Sequence, residues 1–98
     1  MDIGTAIKIL RKGKGLGQKE LALACDISVN ALSQIETNSS FPHKNTINKI
    51  CEALEIPVSY LLFYSISDED VPEEKRLVFN TLNSAIKSVL IENQKSKE

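Results

Sequence analysis

Residues 17–36 read GQKELALACDISVNALSQIE, in which strong helix formers stop at Asp26 and a more polar helical run begins almost at once. Two short helices joined by such a short turn cannot lie antiparallel, so they must cross at a steep angle. The crossing needs a small residue where the helices approach, and Ala22 stands there. The turn needs a residue that tolerates left-handed dihedrals, and Asp26 meets that need. The stretch therefore predicts two crossed helices around a tight turn.

The second of these helices has a polar face opposite its apolar one. Ile27, Leu32 and Ile35 fall where the crossed pair would bury side chains. The opposite face carries Val29, Asn30, Ser33, Gln34 and Thr37. Amide and hydroxyl groups suit base edges in the DNA major groove, and valine suits a thymine methyl group. Ordinary solvated surface is the alternative interpretation, and the adjoining turn geometry favours base contact.

Length and composition predict one small helical domain, or one such domain plus an appendage. The chain has 98 residues, 42% hydrophobic and 26% charged, with 3 prolines and 4 glycines. No apolar run approaches the ~20 residues of a membrane span. The first residues place their charges after their apolar positions, the reverse of a secretory signal. The 12 basic and 13 acidic side chains give a net charge of −1, so any DNA-binding charge must be local.

The reactive residue types indicate a binding protein rather than an enzyme. Cys25 and Cys51 lie among apolar neighbours, so we expect reduced core thiols in a cytoplasmic protein, with a disulfide or redox switch as the alternative. His43 is the only histidine and no CxxC pair occurs, so no metal site is expected. Without a phosphate loop or a nucleophile–base arrangement, we expect no catalysis and no cofactor. No small-molecule effector is implied.

Apolar periodicity predicts five helices within residues 1–64, at about 2–12, 18–25, 28–37, 44–54 and 57–64. Asp2 and Ser28 are expected to cap the first and third helices, and Asn38 to adopt the left-handed conformation after the third. Residues 65–72, SISDEDVP, read as an acidic linker. Residues 73–98 are expected to hold a sixth helix, starting near residue 72 and ending near 92, and a frayed tail.

Residues 7–62 resemble the Cro and phage-repressor type of helix-turn-helix domain, the XRE family. The residues that carry the resemblance are Leu10, Arg11, Gly15, Leu16, Gln18, Glu20, Leu21, Ala22, Ile27, Ser28, Ile35, Glu36, Pro42, Ile50, Ala53, Leu54, Leu61 and Leu62. Members of this family are five-helix DNA-binding domains that bind two-fold operators as dimers. The resemblance therefore implies an all-α fold, a Cro/repressor-like domain of five helices plus one C-terminal helix here.

The resemblance also implies roles for individual residues. Base contacts would come from Val29, Asn30, Ser33 and Gln34. Phosphate contacts would come from Gln18, Lys19, Ser28, Thr37, Asn38, Ser39, Ser40 and Lys44. Arg11 and Glu36 would form a structural ion pair, with a direct DNA contact by Arg11 as the alternative. Lys12 and Lys14 are expected to add charge near the second helix, unless they are ordinary solvated lysines.

The sixth helix carries an apolar stripe that is too broad to remain in water. We expect helices five and six to form a two-fold homodimer interface. Its predicted residues are Tyr60, Phe63, Tyr64, Val78, Phe79, Leu82, Ile86 and Val89. The alternative is a sixth helix that folds back on its own domain.

The sequence thus predicts a sequence-specific regulator of transcription, a dimeric repressor whose helix 28–37 reads double-stranded DNA. No Arg or Lys lies on that helix, so A·T contacts and DNA shape are expected to carry much of the specificity. The alternative function is a protein-interaction scaffold without specific DNA binding. The missing arginine favours the scaffold mildly, whereas Gln18 and the lysines argue against it. A restriction-modification controller and a toxin-antitoxin regulator fit the chain equally well.

Overall fold

Helices follow one another along the whole of the described range, which covers residues 2–95, and side chains up to residue 88, in this computed structural model. The helices are α1 Ile3–Gly13, α2 Gln18–Ala24, α3 Val29–Glu36, α4 Lys44–Leu54, α5 Val58–Ser65 and α6 Arg76–Lys95, with 3₁₀ turns at Asp68–Asp70 and Glu73–Lys75. Every regular element of residues 2–95 is helical, which confirms the predicted all-α fold class.

One core joins α1 to α5. It consists of Ile3, Ala6, Ile7, Leu10, Leu21, Ala22, Cys25, Leu32, Ile35, Ile50, Cys51, Leu54, Leu61 and Tyr64. Nearly all of these are the residues that the three- and four-residue periodicity places on the inner helix faces. Leu16, from the connection between α1 and α2, packs against the same core.

The turn between α2 and α3 has the predicted conformation. Asp26 adopts a left-handed φ of 58°, which confirms its role in the turn. The Ile27 amide donates to the Ala22 carbonyl at 3.0 Å and so closes the end of α2. The Ser28 hydroxyl accepts from the Ala31 amide at 3.0 Å and caps α3, also as predicted.

Asn38 fastens the end of α3 to the start of α1. Its φ of 62° confirms the predicted left-handed conformation. Its Oδ1 accepts from the Gly4 amide at 3.1 Å, and its Nδ2 donates to the Asp2 carboxylate at 2.7 Å. A Cβ on Gly4 would lie 2.2 Å from the Ile35 carbonyl oxygen, so only glycine allows this approach. The start of α1 and the end of α3 are therefore held in direct backbone contact.

Both cysteines are free and buried in the core. Burial raises the pKa of both thiols, that of Cys51 to about 11. Thiols with such raised pKa values stay protonated at neutral pH and behave as small apolar side chains. In the described part of the chain, no group of His, Cys, Asp or Glu could hold a metal ion, and no helix is long and apolar enough to cross a membrane.

The sixth helix folds back against α1 and begins at Arg76 rather than at residue 72. Arg76 Nε donates to the Asp68 carbonyl at 2.9 Å and to the Val71 carbonyl at 3.1 Å. These bonds hold the acidic segment 65–72 as a folded turn, and Pro72, which lacks an amide hydrogen, precedes the last 3₁₀ turn. The Lys87 ammonium lies 4.5 Å from the centre of the Tyr64 ring, which ties α6 to the end of α5.

Candidate nucleic-acid interface

Helix α3 divides cleanly into a buried and an exposed face. Leu32 and Ile35 are buried in the core. Val29, Asn30 and Gln34 are exposed on the other side, and Ser33 is half-buried between the two faces. A valine held in water at the start of a helix gains nothing for the fold, whereas it suits contact with a thymine methyl group. The predicted base-contacting residues therefore lie together on one accessible surface.

Arg11 and Glu36 meet beneath that surface, with 6% and 4% of their areas exposed. Arg11 Nε donates to Glu36 Oε2 at 2.7 Å, and Arg11 Nη2 donates to Glu36 Oε1 at 3.1 Å. Arg11 Nη1 also donates to the Leu16 carbonyl at 2.8 Å. The guanidinium is thus enclosed within the domain, where it joins α1 to the end of α3.

Gln18 completes this buried network. Its Nε2 donates to Glu36 Oε1 at 3.0 Å. Although burial disfavours the charged carboxylate, the hydrogen bonds from Arg11 and Gln18 hold the pKa of Glu36 below its usual value. The predicted phosphate contact by Gln18 would have to use its second amide hydrogen.

The loop after α3 is braced against the helix it leaves. The Thr37 hydroxyl lies 3.0 Å from the Ser33 carbonyl and 3.2 Å from the Gln34 carbonyl, to which it can donate. The Ser39 and Ser40 amides both donate to the Gln34 carbonyl, at 2.9 and 3.2 Å. Asn38 binds Asp2 and Gly4, and the Thr37 and Ser39 hydroxyls lie 3.1 Å apart. Three side chains of this segment that were predicted to contact phosphate, Thr37, Asn38 and Ser39, therefore have internal partners.

The lysines divide into structural and solvated ones. Lys14 donates to the Leu54 carbonyl at 3.2 Å and pairs with Glu55, so it stabilises the carboxyl end of α4. Lys12, Lys19 and Lys44 are exposed. Ser28 is exposed as well, with its hydroxyl used as the α3 cap.

Two strongly exposed apolar residues within residues 1–64 were not predicted to matter. Leu23 on α2 is 82% exposed, and Phe41 in the loop between α3 and α4 is 70% exposed. Neither belongs to a periodic stripe, so the helical pattern has no place for them. Their signal in the sequence is only that they are large apolar residues left over from the core assignment.

The residues predicted for a dimer interface differ in how much surface they offer. Val78, Leu82 and Ile86 are exposed along α6, together with Leu77. Tyr60, Phe63 and Phe79 are half-buried. Tyr64 is only 9% exposed, because it packs within its own chain under Lys87. The Val89 side chain lies outside the described residues.

These features define a helix-turn-helix domain: two short helices cross at a tight turn, the second has a polar accessible face, and a braced loop follows it. The sequence profile of the helix-turn-helix family matches residues 7–61, more than half of the chain. The chain belongs to this helix-turn-helix family, as the resemblance to the XRE family predicted.

Relatives of known sequence carry the same designation. Uncharacterized HTH-type transcriptional regulators of Mycobacterium bovis (Mb0023) and Mycobacterium tuberculosis (Rv0023) are each 35% identical to this chain over 54 residues. The match covers 55% of this chain and 21% of either relative. The chain thus spans about a fifth of the length of the curated relatives it matches.

Solved structures share the fold over nearly the whole chain. The clp gene regulator ClgR from Corynebacterium glutamicum superimposes with a TM-score of 0.65 at 22% identity, covering 91% of this chain and 86% of that one. A chain of the SinR protein/SinI protein complex superimposes with a TM-score of 0.61 at 29% identity, covering 97% of this chain and 96% of that one. The similarity to ClgR concerns the fold alone.

Proposed function

We propose that the protein is a dimeric repressor that places α3 in the major groove of a two-fold operator. The observation that carries the proposal is the division of α3, whose polar face stays accessible while Leu32 and Ile35 anchor the helix in the core. A polar helix face that is largely exposed suits a groove lined with hydrogen-bonding base edges. Free, buried thiols also suit the cytoplasm, where such a repressor would act.

Sequence specificity would come from Asn30 and Gln34, helped by Val29 and Ser33. Asparagine and glutamine pair with adenine through two hydrogen bonds, and valine contacts the thymine methyl group. Since residues 29–36 contain no Lys or Arg, the operator is expected to be rich in A·T pairs at the contacted positions. Guanine contacts, which normally use Arg or Lys, would contribute little.

Affinity would come from phosphate contacts beside α3. Ser39 and Ser40 are exposed in the loop that leaves α3, Lys44 is exposed at the start of α4, and Lys19 is exposed on α2. Because the loop is already held by internal hydrogen bonds, its backbone loses little conformational entropy when DNA binds. A chain with a net charge of −1 can bind a polyanion in this way, provided that its cations gather on one edge.

The second subunit would pack on α6. Leu77, Val78, Leu82 and Ile86 leave a continuous apolar stripe in water when the chain is alone, and a two-fold partner would cover it. In this arrangement residues 1–64 form the DNA-binding unit and residues 73–98 the dimerisation segment, joined through the turn at 65–72. The two copies of α3 would then be about 34 Å apart, one turn of DNA.

Quantitative DNA binding tests the proposal. Affinity for random duplex DNA should fall steeply with salt, because each phosphate contact adds about 0.9 to the slope of log K against log salt. On a selected operator, Gln34→Ala should lose roughly 1–3 kcal/mol of binding and leave random-DNA binding almost unchanged. Asn48→Ala, which removes an exposed amide on α4 that is assigned no DNA contact, is the matched control. Equal losses on both DNAs for Gln34→Ala would contradict a base contact.

A protein-binding scaffold is the second candidate. The uncharged face of α3 favours it, as does the exposed stripe on α6, and one structurally similar protein is SinR in a complex with SinI. This function predicts no salt-dependent retention on DNA. Binding to random duplex that persists at low salt and disappears at moderate salt would exclude it as the main activity.

A further inference from the structure

Phe41 is held in water at the edge of the candidate DNA interface. In the described part of the chain it is the one aromatic residue among the exposed large apolar side chains. The tyrosines and the other two phenylalanines are buried or half-buried. The core therefore gives no reason for a phenylalanine at this position.

The loop fixes Phe41 in its exposed position rather than leaving it free to collapse. On one side, the Ser39 and Ser40 amides both donate to the Gln34 carbonyl, so the loop folds back on the last turn of α3. On the other side, Pro42 is buried. A residue before proline is restricted to extended conformations, which narrows the directions open to its side chain. Because the Phe41 side chain is already restricted in the free protein, binding would cost it less conformational entropy.

Its place relative to α3 determines what it can reach. Phe41 lies five residues beyond Glu36, the last residue of α3, and Pro42, His43 and Lys44 follow it. If α3 lies in the major groove, this loop crosses the adjoining phosphates. Five residues span at most about 17 Å even when fully extended. Since this loop folds back on α3, Phe41 stays nearer than that to the end of α3, beside the phosphates that flank a minor groove about 6 Å wide.

We propose that Phe41 is an apolar wedge that enters the minor groove beside each half-site and partly unstacks a base step there. This inference rests on the proposed DNA-binding function. Apolar wedges of this kind unstack base steps and kink the duplex, most easily at the flexible steps TA and CA/TG. Phe41 would therefore add specificity for sequences that are easily deformed. This contribution matters because α3 has no Arg or Lys for direct contacts to guanine.

The test uses the full chain and duplexes of its selected operator that carry 2-aminopurine at successive steps next to a half-site. The wild type should raise 2-aminopurine fluorescence several-fold at one step, because unstacking relieves quenching. Phe41→Ala should abolish that rise and weaken operator binding about tenfold. Phe41→Leu should keep most of both, since leucine is also an effective wedge. Leu23→Ala, which removes another exposed apolar side chain that is assigned no DNA contact, should change neither.

The outcomes separate the wedge from the function it rests on. A fluorescence rise that survives Phe41→Ala, or no rise with the wild type, overturns the wedge, even if Gln34→Ala still shows α3 in the major groove. An equal loss for Phe41→Ala on operator and random DNA also overturns it, because that pattern indicates a backbone contact. If the wild type selects no DNA at all, the wedge and the proposed function fall together. Since the side chain is exposed, Phe41→Ala should unfold at the wild-type temperature, which excludes a folding defect.

Discussion

Removing one partner of the Arg11–Glu36 pair should cost a large part of the stability of this domain. Glu36→Ala would leave Arg11 Nε, Arg11 Nη2 and Gln18 Nε2 without their acceptor, in a place where Arg11 is only 6% exposed. Breaking one half of a buried ion pair costs about 3–5 kcal/mol, because the other charge stays buried without compensation. Small domains have a total unfolding free energy of about 5–15 kcal/mol.

Urea unfolding followed by circular dichroism at a fixed protein concentration measures this loss. We expect Glu36→Ala to lower the unfolding free energy by about 3–5 kcal/mol. The double variant Arg11→Met with Glu36→Leu should recover a large part of that loss, because it removes both charges and fills the space with apolar groups. A loss below about 1 kcal/mol for Glu36→Ala would mean that the pair behaves as a surface salt bridge. It would then refute the buried network as the link between α1 and α3.

Three further changes follow from named contacts. Gly4→Ala should lower the unfolding free energy by roughly 1–3 kcal/mol, because its Cβ would lie 2.2 Å from the Ile35 carbonyl oxygen. Thermal unfolding measures this loss, and an unchanged melting temperature would mean that α1 can shift freely. Hydrogen bonds from the Thr5 amide and from Asn38 lower the pKa of Asp2. Its contribution to stability is therefore present above about pH 4 and is lost as pH falls through the folded pKa. Asp2→Asn should make the unfolding free energy fall less steeply as the solution is acidified, and an unchanged slope would contradict this. The Leu82 side chain is 58% exposed in the single chain, so Leu82→Lys should leave the fold intact. In analytical ultracentrifugation this variant should sediment as a monomer of 10.9 kDa. A variant that remains dimeric would show that α6 is not part of the proposed interface.

The helical frame could be predicted because its signals are local. Asp26 and Asn38 are residues that tolerate the left-handed conformation, and both adopt it. The apolar stripes of α1 to α4 point to the core they form. Glu55 also adopts a left-handed φ, of 59°, at the end of α4, and nothing in its residue type indicates this.

The site was harder to predict where tertiary contacts decide a side chain's partner. Asn38 and Thr37 have the chemistry of phosphate ligands, yet the fold gives both of them internal hydrogen bonds. Tyr64 looks like interface surface in the sequence, but α6 returns and places Lys87 over it. Phe41 stands alone between two helices, so no periodicity could reveal that it would be exposed.

In vitro selection of duplexes bound by the full chain tests the central claim most directly, because sequence, symmetry and spacing come from one measurement. We expect a two-fold site whose half-sites are centred about 10 base pairs apart, with A·T pairs prominent at the contacted positions. Selection that yields no enriched sequence, or one without two-fold symmetry, would contradict a dimer that reads its operator through α3.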